Sequence, residues 1–517
     1  MKLLEKTKAY KTALWILFYA TIVATYFFAL DLPLIGPDEP RYAQVAKEMY
    51  ERGDFITPTL GGFEWFEKPA LLYWLQISSY SIFGVSEFSA RFGSALLGLL
   101  TILFVWIFGK NISKTTEFAN WLGLVAATSI GLIVFSRGAS FDIILTFPIT
   151  ASLVSFFIAV SALENENPKA SSQGENNFFP KGFALLFCFY FFTGVALLAK
   201  GLVGIIFPFA VPTLFYLLQR KLPPKKVLLS IPFGVAIVFL VAGLWYFPMY
   251  ERHGWKFIDE FIIQHHFERY TSNKYLHPQP FWFFWVVLPL MMLPWTPFFL
   301  MATWSFLKKT ISALNKIKSS SNPQQALDFR AELFVFCWLI VPLVFFSFSG
   351  SKLPGYILPS LPPACILTAN YLHEIMQKHQ RVHLILRAIA LVTLLAVVIA
   401  LKFLVADLTY HETLKPLLMK ANDKGYSSNK ILTLHTIAHN LEFYATERLV
   451  RTAEGKQRYF YGVAEVAEFM RLNKQDTVLV LVPLRYEKEL IESSLLKSEK
   501  LGDNGEFALF VVSVLNN

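Results

Sequence analysis

Charge is scarce in this sequence. Asp, Glu, Lys and Arg make up 16% of its 517 residues, whereas a soluble globular chain carries about 25%. Too few polar side chains remain to cover a water-facing globule of this size, so most of the chain is not a soluble fold. Cysteine is scarcer still: Cys188, Cys337 and Cys365 are the full set. All three lie in apolar stretches without zinc-ligand spacing, which excludes a disulfide framework and a structural zinc cluster. They read as packing residues. A nucleotide-binding signature is also missing, as are a soluble repeat and a convincing low-complexity tract. Acidic residues are outnumbered, 37 against 47 basic, for a net charge of +10. In a soluble protein that balance would suggest nucleic acid. Here the Lys and Arg sit in short runs between apolar segments, the pattern of cytoplasmic membrane loops. That excludes a nucleic-acid partner and makes membrane lipids the expected surroundings.

What is abundant is apolar: 55% of the residues are hydrophobic and 16% aromatic, for a mean hydropathy of +0.46. Apolar runs occupy 12–30, 92–108, 118–136, 143–163, 182–199, 201–219, 227–250, 280–307, 333–351, 353–372 and 388–406. A bilayer-spanning helix needs about 20 such residues, so the runs predict a polytopic α-helical membrane protein with about 11 to 13 transmembrane helices. The first run follows Lys2, Lys6, Lys8 and Lys11. It is too long for a signal peptide and reads as an uncleaved span. Basic loops at Lys110/Lys114, Arg220-Lys221, Lys225-Lys226, Lys308-Lys309 and Lys378/Arg381 place themselves and the N-terminus in the cytoplasm. The segments 31–91 and 251–279 and the tail then face outward. The expected domains are a membrane unit over 1–406 and a polar tail over 407–517. In the tail, 430–434, 477–482 and 507–512 read as strands, and 463–471 and 487–496 as helices. That alternation predicts a small outer α/β domain.

Isolated charges then stand out on the outer side. Gly36-Pro37-Asp38-Glu39-Pro40-Arg41-Tyr42 opens a helix-like stretch, with Asp38 as a candidate N-cap or a functional carboxylate. Glu67-Lys68 sits among Trp65, Phe66 and Pro69, in a setting that also suits interfacial anchoring. Arg137 and Asp142 flank an outer turn and are spaced for a local ion pair. Lys200 and Lys352 stand alone between spans, where a lysine either snorkels or lines a cavity. His266 and Glu67 are residue types that suit a divalent metal such as zinc. Several cations on one face suit an anionic group, and a phosphate in an apolar, aromatic setting suggests a phospholipid or polyprenyl phosphate.

Four motifs, Asp38-Glu39-Pro40-Arg41-Tyr42-Ala43, Phe66-Glu67-Lys68-Pro69, the His266/Arg269-Tyr270 spacing and Ser351-Lys352-Leu353-Pro354-Gly355-Tyr356, stand in a familiar order, with Pro280-Phe281-Trp282-Phe283 and Leu293-Pro294-Trp295. Together they resemble the bacterial lipid A aminoarabinose transferases, protein O-mannosyltransferase-like GT-C glycosyltransferases. The resemblance covers roughly residues 10 to 375. It implies an inner-membrane enzyme that moves an amino sugar from undecaprenyl phosphate to lipid A at the periplasmic face, without a nucleotide cofactor. It implies Asp38 as the catalytic carboxylate, with Glu39 beside it and Asp142 as a second acid. Arg41, Lys68, Arg269 and Lys200 would hold the donor phosphate. Tyr42, Arg137, Lys352 and Tyr356 would line the cavity, and Glu67 and His266 would form a metal pair. His265 and Gly355 depart from the family pattern, where an acid and a threonine are common; this bears on the exact substrate and not on the reaction class. The same chemistry with another sugar, onto protein or glycan, and a lipid-phosphate transporter remain the alternatives.

Overall fold

The computed structural model describes residues 2–113, 115–164, 181–268, 278–315, 328–379 and 381–515. It divides into two compact units. One comprises 1–28, 67–72 and 92–398, and the other 29–66, 73–91 and 399–517.

The first unit is helical. Among the described residues, six helices are long and apolar enough to cross a membrane, or eight if each of two bent pairs is one span. Every apolar run lies mainly on a helix, but not every run makes a full-length one. Thr12–Phe27 and Val203–Gln219 are shorter apolar helices. The run at 353–372 opens as a 3₁₀ segment, Pro354–Ser360, before the helix Leu361–Lys378. Prolines at 354, 359, 362 and 363 withhold N–H donors there and prevent one continuous helix. The helix Phe141–Glu164 is buried along its apolar length, as expected for a helix apolar on all sides. Lys225–Phe257 instead exposes Phe233, Phe239, Leu240 and Phe247, and Val382–Ile399 exposes Leu384, Val392 and Leu395. Such broad apolar surfaces would associate in water and are at home in lipid. The chain is a multi-pass membrane protein.

The bent pairs solve a backbone problem. Thr116–Ala127 and Ile130–Ser136 meet at 64°, and Phe283–Met291 and Thr296–Ile311 at 119°. A helix break in an apolar interior leaves polar groups that no water can satisfy. Here the breaks satisfy each other. The Ile130 N–H donates to the Leu293 carbonyl at 2.9 Å, and Trp295 Nε1 donates to Thr128 Oγ1 at 2.9 Å.

The second unit joins residues 29–66 and 73–91 to the tail. The earlier residues contribute the helix Asp38–Arg52, the hairpin β1 (Thr59–Leu60) and β2 (Phe63–Glu64), and the helix Leu71–Phe83 from Tyr73 on. The tail folds around a sheet of β3 (Ile431–Leu434), β4 (Tyr459–Phe460), β5 (Thr477–Pro483), β6 (Leu496–Asp503) and β7 (Phe507–Val514), in the order β4-β3-β5-β7-β6. β4, β3 and β5 are parallel, whereas β7 runs antiparallel to β5 and β6. Side chains alternate across the sheet. Val478, Val480 and Val482 enter one apolar core, and Leu479 and Leu481 the other.

The three expected strands are present. The helix expected over 487–496 stops at Ile491, and Leu496 begins β6. Ser493 Oγ accepts the N–H groups of Leu495 and Leu496, each at 3.2 Å, a local bond that competes with helix continuation.

Candidate functional site

In the second unit the charged motif forms the start of a helix. Gly36 takes φ +66°, a left-handed turn that favours glycine, and the chain enters the helix through Pro37. Asp38, a candidate N-cap in the sequence, does not take that position. That place belongs to Pro37, which makes no side-chain capping bond, and Asp38 is the first helical residue. One turn on, Arg41 Nη2 donates to Asp38 Oδ1 at 2.6 Å and Arg41 Nε to the Pro37 carbonyl at 2.7 Å. The Arg41 guanidinium also lies 5.6 Å from the Trp65 ring. The Asp38 side chain is 51% exposed despite this pairing.

Glu39 does something different from Asp38. Arg91 grips it in a bidentate pair, Nε to Oε1 at 3.0 Å and Nη2 to Oε2 at 2.6 Å. Arg91 donates further to the carbonyls of Leu30, Leu32 and Pro33, and Glu39 accepts the Ile35 N–H at 3.2 Å. Glu39 therefore fastens the loop ahead of Asp38. Tyr42, expected to line the cavity, is buried.

Residues that carried no motif complete this region. Glu48 accepts from the N–H groups of Gly61 and Gly62 and from Thr59, fixing the hairpin on the helix. Tyr444 accepts the Leu34 N–H at 3.0 Å and donates to Glu87 at 3.1 Å, while Lys415 pairs with Glu87 at 2.5 Å. The His439 imidazole is held below its ordinary pKa by burial and by the charge of Arg41, against the opposing pull of Glu442 and Asp38. The tail thus supplies groups to the surroundings of Asp38. Only their polarity signals them in the sequence, because the partners lie hundreds of positions away.

In the first unit, Lys200 at the end of Lys181–Lys200 pairs with Asp142 near the start of Phe141–Glu164. Its ammonium stands 4.6 Å from the Tyr356 ring centroid. Ser140 Oγ donates to Asp142 Oδ2 at 3.1 Å. Asp142, Lys200 and Tyr356 therefore form one cluster. Lys68 pairs with Glu67 at 2.8 Å, both side chains largely buried. Arg137, sequence-spaced for Asp142, directs its guanidinium to the carbonyls of Thr25, Tyr26 and Phe28. Lys352 is buried and donates to the Gln279 and Ser349 carbonyls at 3.0 and 2.6 Å. Both cations serve main-chain oxygens, which ties separate segments together.

Gly355 has a tight role in this cluster. A Cβ built there overlaps the Asp142 carboxylate and crowds the Phe135 ring. Gly355→Ala is expected to push the carboxylate off Lys200 and lower turnover by up to about 10²-fold, the cost of a displacement near 1 Å in a positioned group. Turnover equal to the parent protein's would separate the Asp142–Lys200 pair from the chemistry.

Arg269 lies outside the described residues, and so does the side chain of His266. Among the described residues no group of three or more His, Cys, Asp or Glu side chains stands ready to hold a metal ion. Glu67 already accepts from Lys68, so a cation there would share or displace that ammonium.

Residues 11–258 match the dolichyl-phosphate-mannose-protein mannosyltransferase family. Curated relatives include proteins named undecaprenyl phosphate-alpha-4-amino-4-deoxy-L-arabinose arabinosyl transferase. That of Serratia proteamaculans is 28% identical over 363 residues, covering 68% of this chain and 59% of the relative. That of Yersinia enterocolitica is 28% identical over 389 residues, covering 74% and 62%, and that of Aeromonas salmonicida 30% over 350, covering 66% and 57%. The chain thus spans less than two thirds of the length of these relatives. Among solved structures, ArnT from Cupriavidus metallidurans bound to undecaprenyl phosphate superposes with a TM-score of 0.76 at 22% identity, covering 97% of this chain and 98% of that one.

Proposed function

We propose that this chain is a membrane glycosyltransferase of the GT-C type, and that it transfers aminoarabinose or a related amino sugar from undecaprenyl phosphate to lipid A at the periplasmic face of the inner membrane; the match to the mannosyltransferase family over residues 11–258 and the likeness to the arabinosyl transferases support this reading. One observation carries the reading to the level of residues. Asp38 presents a half-exposed carboxylate at the head of a helix whose entry loop is pinned by the Glu39–Arg91 pair, in a chain built to sit in lipid.

In this reading the bond between the anomeric carbon and the polyprenyl phosphate breaks as the acceptor oxygen attacks from the opposite face. The leaving group departs as polyprenyl phosphate. The sequence resemblance assigns Arg41, Lys68, Lys200 and Arg269 to neutralising charge on that phosphate. Arg41, Lys68 and Lys200 are already paired with acids, so the donor exchanges one anion for another without a bare cation having to be kept in the apolar setting. Asp38 accepts a proton where the acceptor is a hydroxyl. A lipid A phosphate is largely ionised at neutral pH, and there Asp38 orients the sugar or stabilises positive charge at its anomeric carbon. Arg137, Lys352 and Tyr356 shape the surrounding wall.

We also propose a divalent cation, zinc in the first instance, held by Glu67 and His266. When bound it would add charge neutralisation at the donor phosphate. Dialysis against a chelator should remove about one equivalent of metal by elemental analysis and lower donor affinity. Full donor binding by metal-free protein removes the cation from the reading.

The deciding experiment is mass spectrometry of lipid A from matched cells with and without this protein. A sugar-sized mass increase establishes the transfer and gives the sugar class. Unchanged lipid A, with the protein confirmed in the membrane, refutes this acceptor; the match to a protein mannosyltransferase family then makes protein or glycan acceptors the next to assay.

A further inference from the structure

The tail sheet aligns the carboxyl ends of three neighbouring parallel strands, β4, β3 and β5. The chain leaves β3 towards β4 on one side, and leaves β5 towards β7 and β6 on the other. Where connections from adjacent parallel strands diverge, a crevice opens outside their carboxyl ends, and open α/β sheets bind ligands in that crevice.

The residues at this point are not those of a plain loop. His435 follows β3 directly and takes φ +56°, a left-handed conformation that costs a non-glycine residue energy and recurs at ligand sites. Its N–H donates to the Phe460 carbonyl at 2.9 Å. Its ring centroid is 4.4 Å from that of Tyr486, on the segment leaving β5. Nε2 lies 2.9 Å from Glu489 Oε2, and the Arg485 guanidinium lies 4.9 Å from the Tyr486 ring centroid. Leu434 pairs with Phe460 in the parallel register, so Tyr461 is the counterpart of His435 on the neighbouring strand. Tyr461 is 72% exposed and its ring is 4.6 Å from that of Tyr459. The apolar core beneath is complete without His435, Tyr461 or Arg485.

We propose that this crevice binds an anionic saccharide, a sugar ring bearing phosphate or carboxylate. Tyr461 and Tyr486 offer flat apolar faces to the C–H side of a pyranose. Glu489 Oε1 and His435 Nδ1, the atoms outside their mutual bond, offer acceptors to ring hydroxyls. Arg485 meets the anionic substituent. Neither Asp38 nor the transfer reaction enters the argument.

The test uses the full-length protein in detergent micelles. Two probes are titrated separately: soluble glucosamine 1-phosphate, and micelles containing lipid A. His435→Gly accepts the positive φ without strain, so it removes the imidazole while preserving the backbone. Arg485→Gln removes the charge of an exposed side chain. The expected result is binding that each variant weakens about tenfold, with melting temperatures no lower than the parent's. Response to the soluble sugar phosphate assigns a free saccharide, and response to lipid A micelles alone assigns a lipid headgroup; either supports the site when the two variants reduce it. Absence of binding to both probes, or binding that both variants leave unchanged, overturns it.

Discussion

Asp38→Asn is expected to reduce sugar transfer by about 10²–10⁴-fold, the usual range for loss of a positioned acid–base group. That is roughly 3–5 kcal/mol of barrier. The substitution keeps size and shape, and an amide oxygen still accepts from Arg41. What disappears is the negative charge. Stability should barely change, because the Asp38–Arg41 pair is an i,i+3 contact with a half-exposed carboxylate, a class of pair worth about 0–1 kcal/mol. The measurement is the transfer rate of purified protein, with membrane level and melting temperature recorded alongside. A rate within a few-fold of the parent protein would end the case for Asp38. A lost rate with a lowered melting temperature would recast it as structural.

Arg91→Ala is expected to have the largest effect on folding. Arg91 and Glu39 are 7% and 13% exposed in their side chains, and Arg91 also donates to the carbonyls of Leu30, Leu32 and Pro33. The truncation strands a carboxylate in a largely buried place and removes the donor that gathers three carbonyls. Breaking a buried pair from one side costs about 3–5 kcal/mol. The loop ahead of Asp38 should become an early target of limited proteolysis, and transfer should fall with it. Glu39→Gln combined with Arg91→Ala should recover part of the stability, since the stranded charge is then gone. If Arg91→Ala resists heat and protease like the parent, the clasp is not what holds this loop.

The Gly355 prediction probes the other unit, and the contrast between the two units is instructive. The Asp142–Lys200 pair joins two helix ends that lie 58 positions apart in sequence. No local pattern marks it; the nearer spacing pointed Asp142 at Arg137. Glu39 shows the same limit. Beside Asp38 in the sequence it reads as a catalytic twin, yet successive residues of a helix face different directions, and Glu39 faces Arg91. Lys352 and Arg137 read as cavity cations, and no local pattern marks the main-chain carbonyls that each also binds.

The sequence by itself determined that this chain lives in a bilayer and that its apolar runs form helices. It also determined that the tail is a small α/β fold. Those conclusions follow from quantities local to the chain: run length, alternation, turn chemistry and residue type. Tertiary structure alone decided which charges meet. It made Glu39 a loop fastener, gave Lys200 to Asp142, and brought Tyr444 and His439 of the tail to the segment that carries Asp38. It also brought His435 at the end of β3 against Tyr486 and Glu489 beyond β5, which depends on strand order. Ion pairs and hydrogen bonds reach only a few ångströms, so their partners are chosen by how distant segments pack, and no run of neighbouring residues encodes that choice.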